Sequence, residues 1–277
     1  MPRIALVLMA FCATLAPVDG AESQEFTPQR ELSYADIADL ALGAPIVALA
    51  QVDRTRRVDE ERATGLPPNH VRYYVEAELQ TLIRSANAVP ARVTYLVDMP
   101  LDADGRRPRI RDRQMILLAA PVPGRRGELQ LIAPDAQLEW TESREQTIRA
   151  LLSEAASDDA PGTVTGVGNA FSVPGTLPGE SETQIFLATS DGRPVSLSIL
   201  RRPNQEPRWM VSMSEIVDRA SPPPERNSLL WYRLACFLPE RLPDASMETT
   251  DRNQIAIARQ DYAMVMRDLG ECTRYRS

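Results

Sequence analysis

The chain has 277 residues and a formal charge of −7; all 31 of its Lys/Arg positions are arginine, and His70 is the one histidine. That balance argues against nucleic acid or an anionic lipid surface as the main partner. Without lysine there is no phosphate-loop lysine, Ser-Lys dyad or Schiff base, and a single histidine excludes multi-histidine zinc sites.

A lone basic side chain, Arg3, precedes the apolar run Ile4 to Leu15, and residues 16–21 supply small residues suited to cleavage. The pattern predicts a secretory signal peptide over 1–21, cut after Gly20 or Ala21, and hence a periplasmic or extracellular protein. The run of 12 residues falls short of the roughly 20 that a membrane-crossing helix needs, and no second stretch approaches that length. Cys12 does not read as a lipid anchor, because Phe11 stands where a small residue belongs.

Residues 22–32 are polar. Ser33-Tyr34-Ala35-Asp36 opens a short helix with a capping-box start, and Gly43 and Pro45 end it. Strands are predicted at 46–52, 71–83, 93–97, 115–119 and 129–132, with apolar and polar residues alternating most clearly from Val71 to Leu79. Turn chemistry fills the gaps at Gly65 to Asn69, Asp104-Gly105 and Pro123-Gly124. After Trp140 an amphipathic helix carries Ile148, Leu151, Leu152 and Ala155 on one face. Five strands between two helices predict a small closed or nearly closed antiparallel β-barrel.

From Ser33 to Trp140 this strand order, with a long second strand after a polar excursion, resembles the OB-like barrel of netrin-type domains. The inhibitory members of that family use an amino-terminal cysteine and internal disulfides; this segment has no cysteine, so metalloproteinase inhibition does not carry over. As a whole the chain is similar to exported bacterial proteins.

Ser157 to Gly162 reads as a linker, dividing a barrel domain over 33–156 from a second part over 163–277. Strands are predicted there at 163–167, 183–188, 194–200 and 208–213, with a hairpin signal at Ser190-Asp191-Gly192-Arg193. Pro222-Pro223-Pro224 then breaks the chain before a helical hairpin: a nearly all-apolar helix over 229–238, and a second one starting near 246–250 and ending at Gly270. The fold class is thus α+β. Cleavage of the signal leaves Cys236 and Cys272, an even pair in an exported chain, which predicts one disulfide between the last turn of the second helix and the middle of the first.

Candidate sites are few. The glycine-rich stretch Gly166 to Glu182 reads as a long irregular loop presenting Asn169, Phe171, Glu180 and Glu182. It lacks the third glycine of a dinucleotide fingerprint, and no Gly-x-Ser-x-Gly elbow occurs in the chain. Trp209, in Glu206-Pro207-Arg208-Trp209, is a candidate for stacking on sugar. Asp98, Asp102 and Asp104 are spaced too closely for an EF-hand loop and lie beside five arginines between 106 and 113, so local charge pairing is expected. Arginines also cluster at 54–57 and 201–202, read as solvated hairpin edges or an anion-binding patch. No metal, cofactor or catalytic residue is expected. The functional expectation is an exported, non-catalytic binding or interaction protein with a protein, small-molecule or glycan partner in the cell envelope. The alternatives are a structural or assembly factor of the envelope, and a hydrolase using Glu180 and Glu182.

Overall fold

A computed structural model describes residues 31–214 and 220–276; the expected signal peptide lies outside the described residues. Helix α1 (Tyr34–Gly43) starts with the expected capping box, in which the Ser33 hydroxyl accepts from Asp36 N–H (3.1 Å) and the Asp36 carboxylate accepts from Ser33 N–H (2.9 Å). Six strands follow: β1 (Ile46–Arg57), β2 (His70–Arg84), β3 (Arg92–Pro100), β4 (Gln114–Pro121), β5 (Leu129–Leu131) and β6 (Gln137–Glu139). They form one antiparallel sheet in the order β3-β2-β1-β4-β5, with β6 also on β4. Helix α2 (Glu142–Ala155) comes next, capped by Thr141.

The burial patterns explain why some strands alternate in sequence and others do not. On β2 the residues Val71, Tyr73, Val75 and Ala77 are buried while their neighbours face outward. Strands β1 and β4 are buried on both faces and read as the unbroken runs Ile46-Val47-Ala48-Leu49-Ala50 and Met115-Ile116-Leu117-Leu118-Ala119. Ile46, Ala48, Ala50, Met115 and Leu117 join Val75, Tyr95 and Val97 in the core enclosed by the curl of the sheet. Val47, Leu49, Ile116 and Leu118 enter a second core with the helices. The ladders run as an open path from β3 to β5, so they do not confirm the expected closed or nearly closed barrel. Edges β3 and β5 adjoin, and Thr94 N–H donates to Gly127 C=O (2.9 Å) beside an isolated parallel bridge between Thr94 and Glu128.

The second sheet runs β7 (Val164–Pro174), β8 (Ser181–Thr189), β9 (Val195–Arg201) and β10 (Arg208–Ser212), all antiparallel, in the order β10-β9-β8-β7. Helices α3 (Leu229–Ala235) and α4 (Arg252–Leu269) complete the fold, and among the described residues no helix is long and apolar enough to cross a membrane. The Gly166 to Glu182 stretch departs from the expected loop: most of it is the β7–β8 hairpin. Its glycines are absorbed by a register shift between Val167 and Ala170, after which Ala170 and Ser172 point into the core and Phe171 and Val173 away from it. Cys236 and Cys272 are joined as expected (Cα–Cα 5.1 Å). Because α3 stops at Ala235, with Cys236 as its C-cap, the bridge holds the end of that helix rather than its middle. Gly270 caps α4 at φ +70°, a conformation natural to glycine, and a Cβ there would lie 2.8 Å from the Arg226 guanidinium.

One core crosses the Ser157–Gly162 stretch: Ala38, Leu138 and Leu151 from its N-terminal side share a cluster with Ile185, Trp231 and Val265 from the other. Polar contacts reinforce it. The wholly buried Asp261 of α4 accepts from the Thr183 hydroxyl of β8 and from Arg201 Nε of β9 (2.6 Å). Glu154 of α2 accepts from Leu229 N–H (2.8 Å), satisfying a first-turn amide of α3. The chain end then returns to α1. Tyr275 N–H and Arg276 N–H donate to the Asp36 carboxylate (3.0 and 3.1 Å), Arg274 pairs with Asp39 (2.7 Å) and Arg276 with Asp135 (2.6 Å).

Burial alone pushes the Asp36 carboxyl up. The N–H groups of Tyr275, Ser33 and Arg276 and the Ser33 hydroxyl outweigh it and hold the group below its ordinary value. A depressed folded value means that this stabilisation is present above about pH 4 and lost as the pH falls through the folded value. Asp36→Asn should therefore cost about 2–4 kcal/mol at pH 7 in urea unfolding, with the gap narrowing below about pH 4; a gap independent of pH would contradict the assignment. The disulfide closes a loop with a sequence separation of 36, for which chain entropy implies about 4 kcal/mol. Reduction should lower Tm by roughly 10 °C, and thiol alkylation without prior reduction should label neither cysteine.

Candidate functional site

The residues singled out from the sequence do not form one site. Trp209 is 3% exposed and donates from Nε1 to Asp268 (3.0 Å), so its ring belongs to the packing between the second sheet and α4 and offers no face to sugar. The proline before it gives the segment an exposed look, but the two-residue alternation of β10 places Trp209 with Val211 on the core face. Glu180 folds into its own hairpin turn, where its carboxylate accepts from the N–H groups of Thr176 (3.1 Å) and Leu177 (3.2 Å). Glu182, on β8, accepts instead from the Gln184 side-chain amide. Asn169 lies in the β7 bulge, half-buried, and Phe171 packs on Phe186 with ring centroids 6.1 Å apart.

The polar candidates near the first sheet are engaged locally. Asp98 makes a two-pronged pair with Arg72 (2.6 and 2.7 Å), and Asp102 accepts from the N–H groups of Asp104 (2.9 Å) and Arg106 (2.7 Å), shaping a turn. His70 contacts Pro68 C=O through Nδ1 (2.8 Å). The structure does bring arginines from two clusters together: Arg54 and Arg56 share a shallow depression of about 170 Å³ with Arg111. Glu76 and Asp112 lie against Arg54 and Arg111, so the depression is partly neutralised.

A larger depression lies elsewhere. It is a cleft of about 570 Å³ along the seam between β3 and β5, bordered by Tyr74, Leu96 and Asp98 on one side and by Leu129 to Pro134 on the other. The cleft exists because the strand facing β3 is interrupted. β5 and β6 pair with consecutive parts of β4, at Ala119–Pro121 and Met115–Leu117, and the chain bulges out between them. Within that bulge Ile132 N–H donates to Leu118 C=O, Ala136 N–H to Ala133 C=O, and Leu118 N–H to Ala136 C=O. Pro134 sits in the bulge with no N–H to offer a ladder.

Side chains seal the inner side of the seam. Buried Tyr95 donates its hydroxyl to Gln137 Oε1 (2.6 Å), and Gln137 Nε2 reaches the Met99 sulfur (3.9 Å). Burial pushes the Tyr95 phenol up, so it remains protonated and a donor. On the outer side the charges compensate: Arg72 pairs with Asp98 and Arg125 with Glu128 (3.1 Å). The hydrogen bond with Asp98 also raises the Arg72 pKa, keeping it charged. What remains is a neutral groove with an apolar rim, on which Leu96 is 50% exposed.

Sequence reasoning missed this site because β6 has only three residues, too few for a periodic signal, and its key side chain is an amide. One signal was available: the alternation through Val93-Thr94-Tyr95-Leu96-Val97 places a leucine on the solvent side of its strand. Gln137→Ala should orphan the buried Tyr95 hydroxyl and destabilise the protein by about 2–4 kcal/mol in urea unfolding, against under about 0.5 kcal/mol for Leu96→Ala. Equal effects would remove the sealing role of Gln137. No family model matches this chain, and no curated protein is similar to it in sequence.

Proposed function

We propose that this is an exported, non-catalytic binding or interaction protein whose ligand site is the cleft between β3 and β5. The observation that carries this reading is the cleft itself: about 570 Å³ of groove at the mouth of a curled sheet. Sites on such scaffolds are concave and largely preformed, with few polar groups fixing orientation. Its rim charges, Arg72 with Asp98 and Arg125 with Glu128, are mutually paired, an arrangement suited to recognition rather than to proton transfer. The Glu180 carboxylate is committed to turn amides, which weighs against the carboxylate-hydrolase alternative. Export rests on the signal-like pattern of residues 1–21 and on the Cys236–Cys272 bridge, which suits an oxidising compartment.

A photo-crosslinking residue at the exposed Gln130, on the cleft rim, tests the assignment against one at Leu177 on the β7–β8 hairpin tip. In cells of the native host, a discrete adduct from position 130 is expected, with none from position 177. Adducts from position 177 alone would move the site to the hairpin, and adducts from neither would sink the binding role.

A further inference from the structure

We infer that the cleft takes an amphiphilic monocarboxylate, a single apolar chain ending in one carboxylate, whose acid end is held by the arginine depression beside it. This rests on the reading of the cleft as the binding site. Strand register places the two hollows side by side. Arg56 of β1 pairs with Tyr74 of β2, and Tyr74 with Leu96 of β3. Val75 and Tyr95, next to them in sequence, point inward and are buried, so Arg56, Tyr74 and Leu96 form one row across the outer face of the sheet. Tyr74 stands at its centre and borders both hollows: the depression of about 170 Å³ with Arg54, Arg56 and Arg111, and the cleft of about 570 Å³ with Leu96. One end of the row is cationic and the other apolar.

Each end selects a different part of the ligand. Arg54 approaches Glu76 only to 3.9 Å and Arg111 approaches Asp112 to 3.7 Å, both exposed pairs of little strength. Arg56 is exposed and has no carboxylate partner among the described residues. Three guanidinium groups against two carboxylates leave one positive charge, which matches a carboxylate better than a phosphate monoester of about −2. A guanidinium fork also fits a planar carboxylate through two parallel hydrogen bonds. In the cleft Arg72 is paired with Asp98 and Arg125 with Glu128, so an apolar chain meets the rim at Leu96 without a competing charge. Two strand spacings separate Arg56 from Leu96, about 10 Å, which sets the least length of that chain.

Isothermal titration calorimetry on the disulfide-intact protein, with each ligand below its micelle-forming concentration, compares decanoate, decanol, decylamine and butyrate. Decanoate should bind about tenfold or more tighter than each of the others, and its advantage over decanol should shrink as salt is raised. Arg56→Gln should weaken decanoate about tenfold while leaving decanol within about twofold, and Leu96→Ser should weaken both. The four-ligand series uses the wild-type protein, so it decides the matter even if a variant misfolds. Equal affinities for decanoate and decanol, or a folded Arg56→Gln variant that binds decanoate as the wild type does, would overturn the carboxylate assignment yet leave an apolar binding cleft standing. Butyrate binding as tightly as decanoate would confine the site to the arginine depression and overturn the joint site. Absence of decanoate binding would overturn the proposal; if position 130 also captures nothing, the binding role fails with it. Binding to anionic phospholipid vesicles without binding to monomeric decanoate would also overturn it, making a membrane surface the partner.

Discussion

A single buried carboxylate ties the two ends of this fold together. Asp36, wholly buried, caps its own helix through Ser33 and receives the backbone N–H groups of Tyr275 and Arg276 from the far end of the chain. A charge is kept in such a place only when donors surround it, and here every donor belongs to a segment that must be correctly placed. The neighbouring Asp39 repeats the arrangement on a smaller scale, taking Tyr232 Oη from α3 and Arg274 from the tail. The disulfide lies between these contacts. By fastening Cys272 to the end of α3, it delivers residues 274–276 to the first helix and lowers the entropy cost of ordering them.

That closure leaves the first sheet with one incompletely paired seam. Its rear face is fixed by the shared core, where Val47, Leu49, Ile116 and Leu118 cluster with apolar residues of the helices. Its front curls until β3 and the start of β5 touch at Thr94. Beyond that point β4 is lined by two short strands instead of one long one, and the bulge between them carries Pro134 where a ladder donor would be needed. The Tyr95–Gln137–Met99 chain lies on the inner side of this seam.

The second sheet shows how local appearance can mislead about function. The glycines and prolines between 166 and 179 suggest a recognition loop, yet Gly166 to Pro174 lie within β7, and Glu180 serves its own turn. Trp209 looks exposed beside proline and arginine, yet faces α4. In each case the alternation imposed by a neighbouring strand outweighs the local signal, because pairing fixes which side chains point to the core whatever their immediate company.

Much of the architecture was legible in the chain. The capping box of α1, the alternation of β2, the apolar runs of the doubly buried β1 and β4, the Asp191-Gly192 turn and the Cys236–Cys272 pair all depend on interactions among near neighbours or on one covalent bond. The tertiary structure alone decided the break between β5 and β6, the inward turn of Trp209, the return of the tail to Asp36 and the cleft beside Leu96. Each of these brings together residues distant in sequence, and local periodicity carries no information about which distant segments come to lie side by side.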